Sequence, residues 1–192
     1  MEACVFPPKM VTPTAGRDFL SSAFLKHVNM PRTVTTFLRF GSCYDLKRVS
    51  YCANVRGNWD YMFSSCTSLE EVRLPQGFDF SARFCFTDVT SLKFIDLPEG
   101  ITNLPMRIFK NCYGLKEIHI PSTVVNIVSD AFNNTGALDY FFYSTVPPAL
   151  TDSAIFNGIK KNAIIHVPSA SLEAYQTATN WATWADYMVG DL

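Results

Sequence analysis

Residues that announce chemistry are scarce in this chain of 192 residues. There are three histidines. A nucleophile needs a base within hydrogen-bond reach, and the base needs an orienting partner. No Ser–His–Asp or Cys–His grouping is brought together by the sequence pattern. Neither G-x-x-x-x-G-K-[ST] nor G-x-G-x-x-G occurs, so the glycine-rich phosphate cradles are absent. The expectation is a non-catalytic protein with no cofactor. Charge of neither sign dominates, with 16 basic against 17 acidic residues and no basic run. That removes the electrostatic footprint of nucleic-acid or anionic-lipid binding. No apolar run reaches 18 residues, so no segment is expected to enter a membrane. Six cysteines are too few for a disulfide scaffold, and no C-x2-C pair offers metal-ligand spacing. The opening MEACVFPPKMVTP has no basic segment followed by an apolar one. Either an export signal is removed or the protein reaches its place without one.

What is present is repetition. TSLEEVRLPQGF begins at Thr67 and TSLKFIDLPEGI at Thr90, 23 residues later. The leucines Leu46, Leu69, Leu92, Leu115 and Leu138 are spaced by 23, and a phenylalanine stands six residues before each: Phe40, Phe63, Phe86, Phe109 and Phe132. Three residues after each leucine come Val49, Val72, Ile95, Ile118 and Phe141; five after come Tyr51, Leu74, Leu97, Ile120 and Tyr143. Pro75, Pro98 and Pro121 follow. The register extends to Phe19, Leu25, Val28, Met30 and Pro31, with a step of 21, and to Phe156, Asn162, Ile165, Val167 and Pro168, with a step of 24. About seven units cover residues 19–168. Self-similarity at this period is the mark of a solenoid in which each unit buries its apolar face against its neighbours.

Within a unit, L-x-x-V-x-L places alternate side chains inward on a short strand, and proline ends the strand by removing a donor. Ile101, Leu104, Val124 and Ile127 form a second apolar set that closes the coil from the other side. Cys43, Cys66 and Cys112 share a column with Ser22, Val89, Thr135 and Ile159. A column that accepts Val and Ile is apolar, so these are expected to be reduced core thiols, with Cys85 beside them. Cys4 and Cys52 stay unassigned. Residues 1–18 read as a lead-in, with Phe6, Pro7, Pro8 and Pro13 favouring extended backbone. Residues 169–192 read as a helical cap. Ser169 or Ser171 is its N-cap, and Leu172, Tyr175, Thr179, Trp181, Trp184, Ala185 and Met188 form its apolar stripe.

The wording of the units, MFSSCTSLEEVRLP, IFKNCYGLKEIHIPSTVVNIVSDAF and AFNNTGALDYFFY, resembles the BspA-like leucine-rich repeats, over about residues 19–168. The resemblance implies an α/β repeat solenoid. It would be a right-handed leucine-rich-repeat coil of about seven units, with a short parallel sheet on one face and a helical C-terminal cap. It implies a protein- or glycan-binding module at a bacterial cell surface, and the MFxxCTSL wording is also similar to repeats in phage proteins, which implies a virion component instead. It carries no catalytic motif.

The outward face of the strands follows from the same parity. Two residues after each leucine stand His27, Arg48, Glu71, Phe94, Glu117, Tyr140 and Ile164; four after stand Asn29, Ser50, Arg73, Asp96, His119, Phe142 and His166. Rungs lie about 4.8 Å apart, so Arg73 is expected to pair with Asp96. In the C-terminal half, rings replace charges, and Phe94, His119, Tyr140, Phe142 and His166 are the candidate partner-binding residues. His119 and His166, two rungs apart at about 10 Å with Phe142 between them, are too far apart to share a zinc ion.

Overall fold

The computed structural model describes residues 3–5, 20–22, 24–30, 39–51, 60–74 and 82–192. Phe19, Pro31, Cys52, Pro75 and the lead-in residues Phe6, Pro7, Pro8 and Pro13 lie outside them.

Each L-x-x-V-x-L segment runs parallel to the one before it. The first sheet pairs β1 (Ala3–Val5), β2 (His27–Met30), β3 (Arg48–Tyr51) and β4 (Glu71–Arg73) in sequence order. The return segments form β5 (Asn103–Leu104), β7 (Asn126–Ile127) and β9 (Ala149–Leu150), also parallel. On the first side the ladder resumes with β6 (Glu117–Ile120), β8 (Asp139–Phe142), β10 (Ile164–Val167) and β11 (Met188–Gly190). The short second unit is real, since His27 pairs with Arg48, 21 residues on. Between β4 and β6 the intervening unit, residues 93–97, has no strand pairing. It keeps the parity of its neighbours, with Ile95 and Leu97 buried and Phe94 and Asp96 exposed.

The phenylalanine column is a stack of parallel rings through the core. Centroid separations from Phe40 through Phe63, Phe86, Phe109 and Phe132 to Phe156 are 6.1, 5.4, 5.7, 6.2 and 5.3 Å. All lie within the range where offset aromatic pairs attract. Backbone bonds keep the rings in step: the amides of Phe63, Phe86 and Phe109 donate to the carbonyls of Cys85, Ile108 and Ala131. Two residues after each ring the chain turns through left-handed backbone, at Ser42, Ser65, Asp88, Asn111, Asn134 and Gly158. Short polar residues and glycine tolerate that conformation best. Three of these side chains also bond to each other across units, Asn111 Nδ2 to Asp88 Oδ1 at 2.6 Å and Asn134 Nδ2 to Asn111 Oδ1 at 3.2 Å.

The cysteine column of Cys43, Cys66 and Cys112 is buried, with Cys85 buried beside it, and Cys66, Cys85 and Cys112 are free thiols. The Cys66 and Cys112 thiols donate to the carbonyls of Phe40 and Phe86 at 3.0 and 3.1 Å. Burial pushes the Cys66 thiol up to about 12 and raises Cys43, Cys85 and Cys112 as well. With so little thiolate at neutral pH, all four should resist iodoacetamide in the folded protein and react fully once it is denatured. Mass spectrometry of the two samples reads this out. Native alkylation of Cys112 would contradict its place in the core.

The C-terminal segment buries most of the expected apolar positions, though not Thr179, in short helical turns that end in a strand. One turn at Ser169–Ser171 leads into α1 (Leu172–Thr177), a second 3-10 segment spans Ala182–Tyr187, and the chain ends in β11. Tyr175, Trp181, Trp184 and Met188 are buried. Neither serine caps α1. Ser171 Oγ donates to Thr145 O at 2.8 Å and Ser169 Oγ to Gly190 O at 2.9 Å. Indole donors satisfy carbonyls of the last return segment, Trp181 to Pro148 O at 2.7 Å and Trp184 to Ser153 O at 3.2 Å.

Strand parity has a direct test at adjacent positions. Leu97→Asp places an unpaired carboxylate in the core and should cost about 3 kcal/mol or more. Asp96→Ala, on the solvent side, should cost under about 0.5 kcal/mol. Chemical denaturation of both variants compares them, and equal losses would contradict the orientation of this unit.

Candidate functional site

The outward columns of the sheet hold the candidate site, and the structure rearranges it. Tyr140 and Phe142 are not on the surface; both are 0% exposed. Tyr140 meets Phe132 and Phe156 edge-on, and its hydroxyl bonds to Thr135. Phe142 packs edge-on against Trp181 at 5.0 Å. The cause is a register step of 22 rather than 23 between β6 and β8, where Ile118 faces Tyr140 and His119 faces Phe141. A slip of one residue turns every side chain of a strand to the other face. Ala137 therefore fills the buried place expected for Leu138, which is 38% exposed. Phe141 and Tyr143, expected inside, come out.

Phe141 becomes the centre of the site. Its ring lies between those of His119 and His166, at centroid distances of 4.5 and 4.4 Å and interplanar angles of 11° on both sides. The intervening ring is the reason the two imidazoles do not meet. Tyr143 flanks His119 at 5.9 Å, and its hydroxyl lies 2.6 Å from His119 Nδ1. The other nitrogen of His119 faces Glu117 at 3.4 Å. Among the described residues no three His, Cys, Asp or Glu side chains gather as metal ligands.

His166 is held from two strands. Its Nε2 lies 3.1 Å from Asp139 on β8 and its Nδ1 2.9 Å from Asp191, just after β11. Only the imidazolium can donate from both nitrogens. Burial alone would lower the affinity of His166 for its proton. The hydrogen bonds and charges of Asp139 and Asp191 outweigh it and hold the group above its ordinary value. A basic group raised on folding stabilises fully below its unfolded value, about 6.5, and loses that contribution as pH rises through the folded value. NMR titration of His166 should show an upward-shifted midpoint. Melting of β11, followed by hydrogen exchange corrected for its intrinsic pH dependence, should become easier above that midpoint and lose this step in His166→Gln. A midpoint at or below the ordinary value would break the argument.

Phe94 stands apart from this stack. It is 53% exposed, one column over, in the unit without strand pairing. Arg73 does not reach Asp96 but pairs within its own strand with Glu71 at 3.0 Å. Glu71 also lies 3.7 Å from Arg48, and Lys93 pairs with Glu70 at 2.6 Å.

The geometry of stacked phenylalanines and parallel rungs agrees with the sequence profile described as BspA type leucine rich repeat region, which matches six copies across residues 15–139. The chain belongs to the BspA-type leucine-rich-repeat family. It is similar to a solved leucine-rich repeat protein from Bacteroides ovatus ATCC 8483, at 20% identity, with 90% of this chain and 44% of that chain covered and a TM-score of 0.37. The chain thus spans less than half the length of that protein. No curated protein matches it. Leucine-rich-repeat modules are commonly binding scaffolds, and in this BspA-type array the exposed rungs can vary while the buried columns stay fixed. Among the described residues no helix is long and apolar enough to cross a membrane.

The ring stack was missed in the sequence because DYFFY offers four consecutive aromatics. Asp139 is the one polar residue there, and its preference for the outer face carried the correct parity.

Proposed function

We propose that this chain is a non-catalytic module that binds a protein or glycan through the outward face of its parallel sheet, at a bacterial cell surface. We read its coil as right-handed, with about seven units over residues 19–168, a lead-in before them and a closing segment over 169–192. The observation that carries the reading is the His119–Phe141–His166 stack. Three rings aligned on successive rungs, with Tyr143 beside them, form a preordered surface that loses few rotamers on binding.

The test is Phe141→Ala combined with His119→Ala, in protein whose fold is verified by circular dichroism. Against a partner recovered by pull-down from host matrix or cell-surface extract, affinity should fall at least about tenfold, or 1.4 kcal/mol. Undiminished affinity would remove the stack as the binding surface. The second reading, a virion component, rests on the MFxxCTSL wording of Met62–Leu69. Immunogold labelling of assembled phage particles rather than of cell envelopes would favour it.

A further inference from the structure

A second feature of the outward face lies away from the ring stack. Arg48, Glu70, Glu71, Lys93 and Phe94 line an open concavity of about 290 Å³. It sits where the ladder is interrupted. Lys93 N still donates to Glu70 O at 3.2 Å, but among the described residues the amides of Phe94, Ile95 and Asp96 have no backbone partner. The concavity therefore combines an exposed aromatic ring, on which no other ring stacks among the described residues, with free backbone groups beside it.

The charged lining decides what class of ligand fits. Each of its two cations faces a carboxylate, Lys93 with Glu70 at 2.6 Å and Arg48 with Glu71 at 3.7 Å, and Glu71 is held more closely by Arg73 at 3.0 Å. The Lys93 hydrogen bond, followed by its charge, holds the Glu70 carboxyl below its usual range. An ionic ligand would have to displace one of these partners. A hydroxyl group would not, because it donates to a carboxylate and accepts from an ammonium or guanidinium at once. The ring offers an apolar face to C–H groups. A volume near the lower end of ordinary ligand pockets suits one ring-sized unit rather than an extended molecule.

We infer that this concavity is a carbohydrate subsite, with Phe94 stacking on the apolar face of a neutral pyranose and the Lys93–Glu70 and Arg48–Glu71 pairs bonding its hydroxyls. The inference rests on the reading of the sheet face as the binding face and narrows its ligand to neutral sugar at this position. An open site holding one ring gives weak affinity, with a Kd on the order of 1 mM.

Saturation-transfer-difference NMR tests it on the full chain. The probes are methyl β-glucopyranoside, methyl β-galactopyranoside, methyl α-mannopyranoside and N-acetylglucosamine, each at about 10 mM, where a site of that affinity is mostly filled. At least one sugar should receive saturation at its ring C–H protons. The signal should fall at least about fivefold in Phe94→Ala, an exposed position whose loss leaves the core intact. No transfer to any of the four sugars overturns the inference, as does a signal unchanged by Phe94→Ala. Transfer to L-arginine but to no sugar overturns it in favour of a charged ligand. If the sugars fail while the His119 and Phe141 double variant still weakens partner capture, the sheet-face reading survives without this subsite.

Discussion

Phe109→Ala is expected to lower the stability of the fold by about 3–5 kcal/mol, the range for emptying a large aromatic site in a packed core. The side chain is fully buried, with Phe86 at 5.7 Å on one side and Phe132 at 6.2 Å on the other. Its removal opens the stack at an interior rung, where neighbours on both sides lose a partner. In a solenoid the energy is carried by contacts between adjacent units, so a break in the middle weakens two interfaces at once. Urea denaturation should show a lower midpoint for Phe109→Ala and an almost unchanged one for Phe94→Ala. A loss below about 1 kcal/mol for Phe109→Ala would mean that the ring column carries little of the stability.

The second large effect is expected at a glycine. A Cβ built on Gly136 falls within contact distance of the Tyr113 carbonyl oxygen, 2.6 Å from its carbon and 3.1 Å from Leu115 O. All three atoms belong to backbone, so no side chain can swing away. Gly136 N also donates to Cys112 O at 3.1 Å, which holds the two turns together. Gly136→Ala should cost about 3 kcal/mol. It should also disturb β8, because the short step that brings Tyr140 inward passes through this residue. Near-ultraviolet circular dichroism, sensitive to the packing of Tyr140, Phe142 and Trp181, should change along with the midpoint. A fully stable Gly136→Ala protein with an unaltered aromatic spectrum would show that the turn has room the geometry denies.

The period was legible because the core repeats it in chemistry that nothing else explains. A phenylalanine, a small apolar residue and a leucine at fixed spacing have no reason to recur unless each stacks on its counterpart, and Phe40 to Phe132 do so. The 21-residue second unit was legible for the same reason. The candidate site was only partly legible. His119, His166 and Phe94 were placed on the outer face by parity, and they are there. Tyr140 and Phe142 were placed there by holding the 23-residue step as far as Leu138. A leucine at the expected interval outweighed the deletion next to Gly136, whose only trace in sequence is a glycine and an alanine. The pairing of Arg73 was illegible because arginine reaches along a strand as readily as across it. The tie between His166 and Asp191 was also illegible, since it depends on the chain's last strand returning to the sheet edge rather than continuing as helix.

The break in the ladder at residues 93–97 also shapes how the molecule comes apart. On the strand side the described residues form two hydrogen-bonded blocks, β1 to β4 and then β6, β8, β10 and β11, with an unpaired rung between them. Among the described residues the return-side strands are β5, β7 and β9, all on units of the second block. Among the described residues, what crosses the seam is the ring stack through Phe86 and Phe109, the turn bonds from Phe84 N, Phe86 N and Asp88 N to Met106 O, Ile108 O and Lys110 O, and the Lys93–Glu70 contacts, while the strand ladder does not cross it. Apolar contact is tolerant of small displacements, whereas a hydrogen-bonded ladder is not. Opening therefore has a natural place to halt. The first block can exchange its amides as a separate cooperative unit of lower free energy while the second stays closed, and the surface it would leave bare is a cross-section of the coil with one phenylalanine ring face within it.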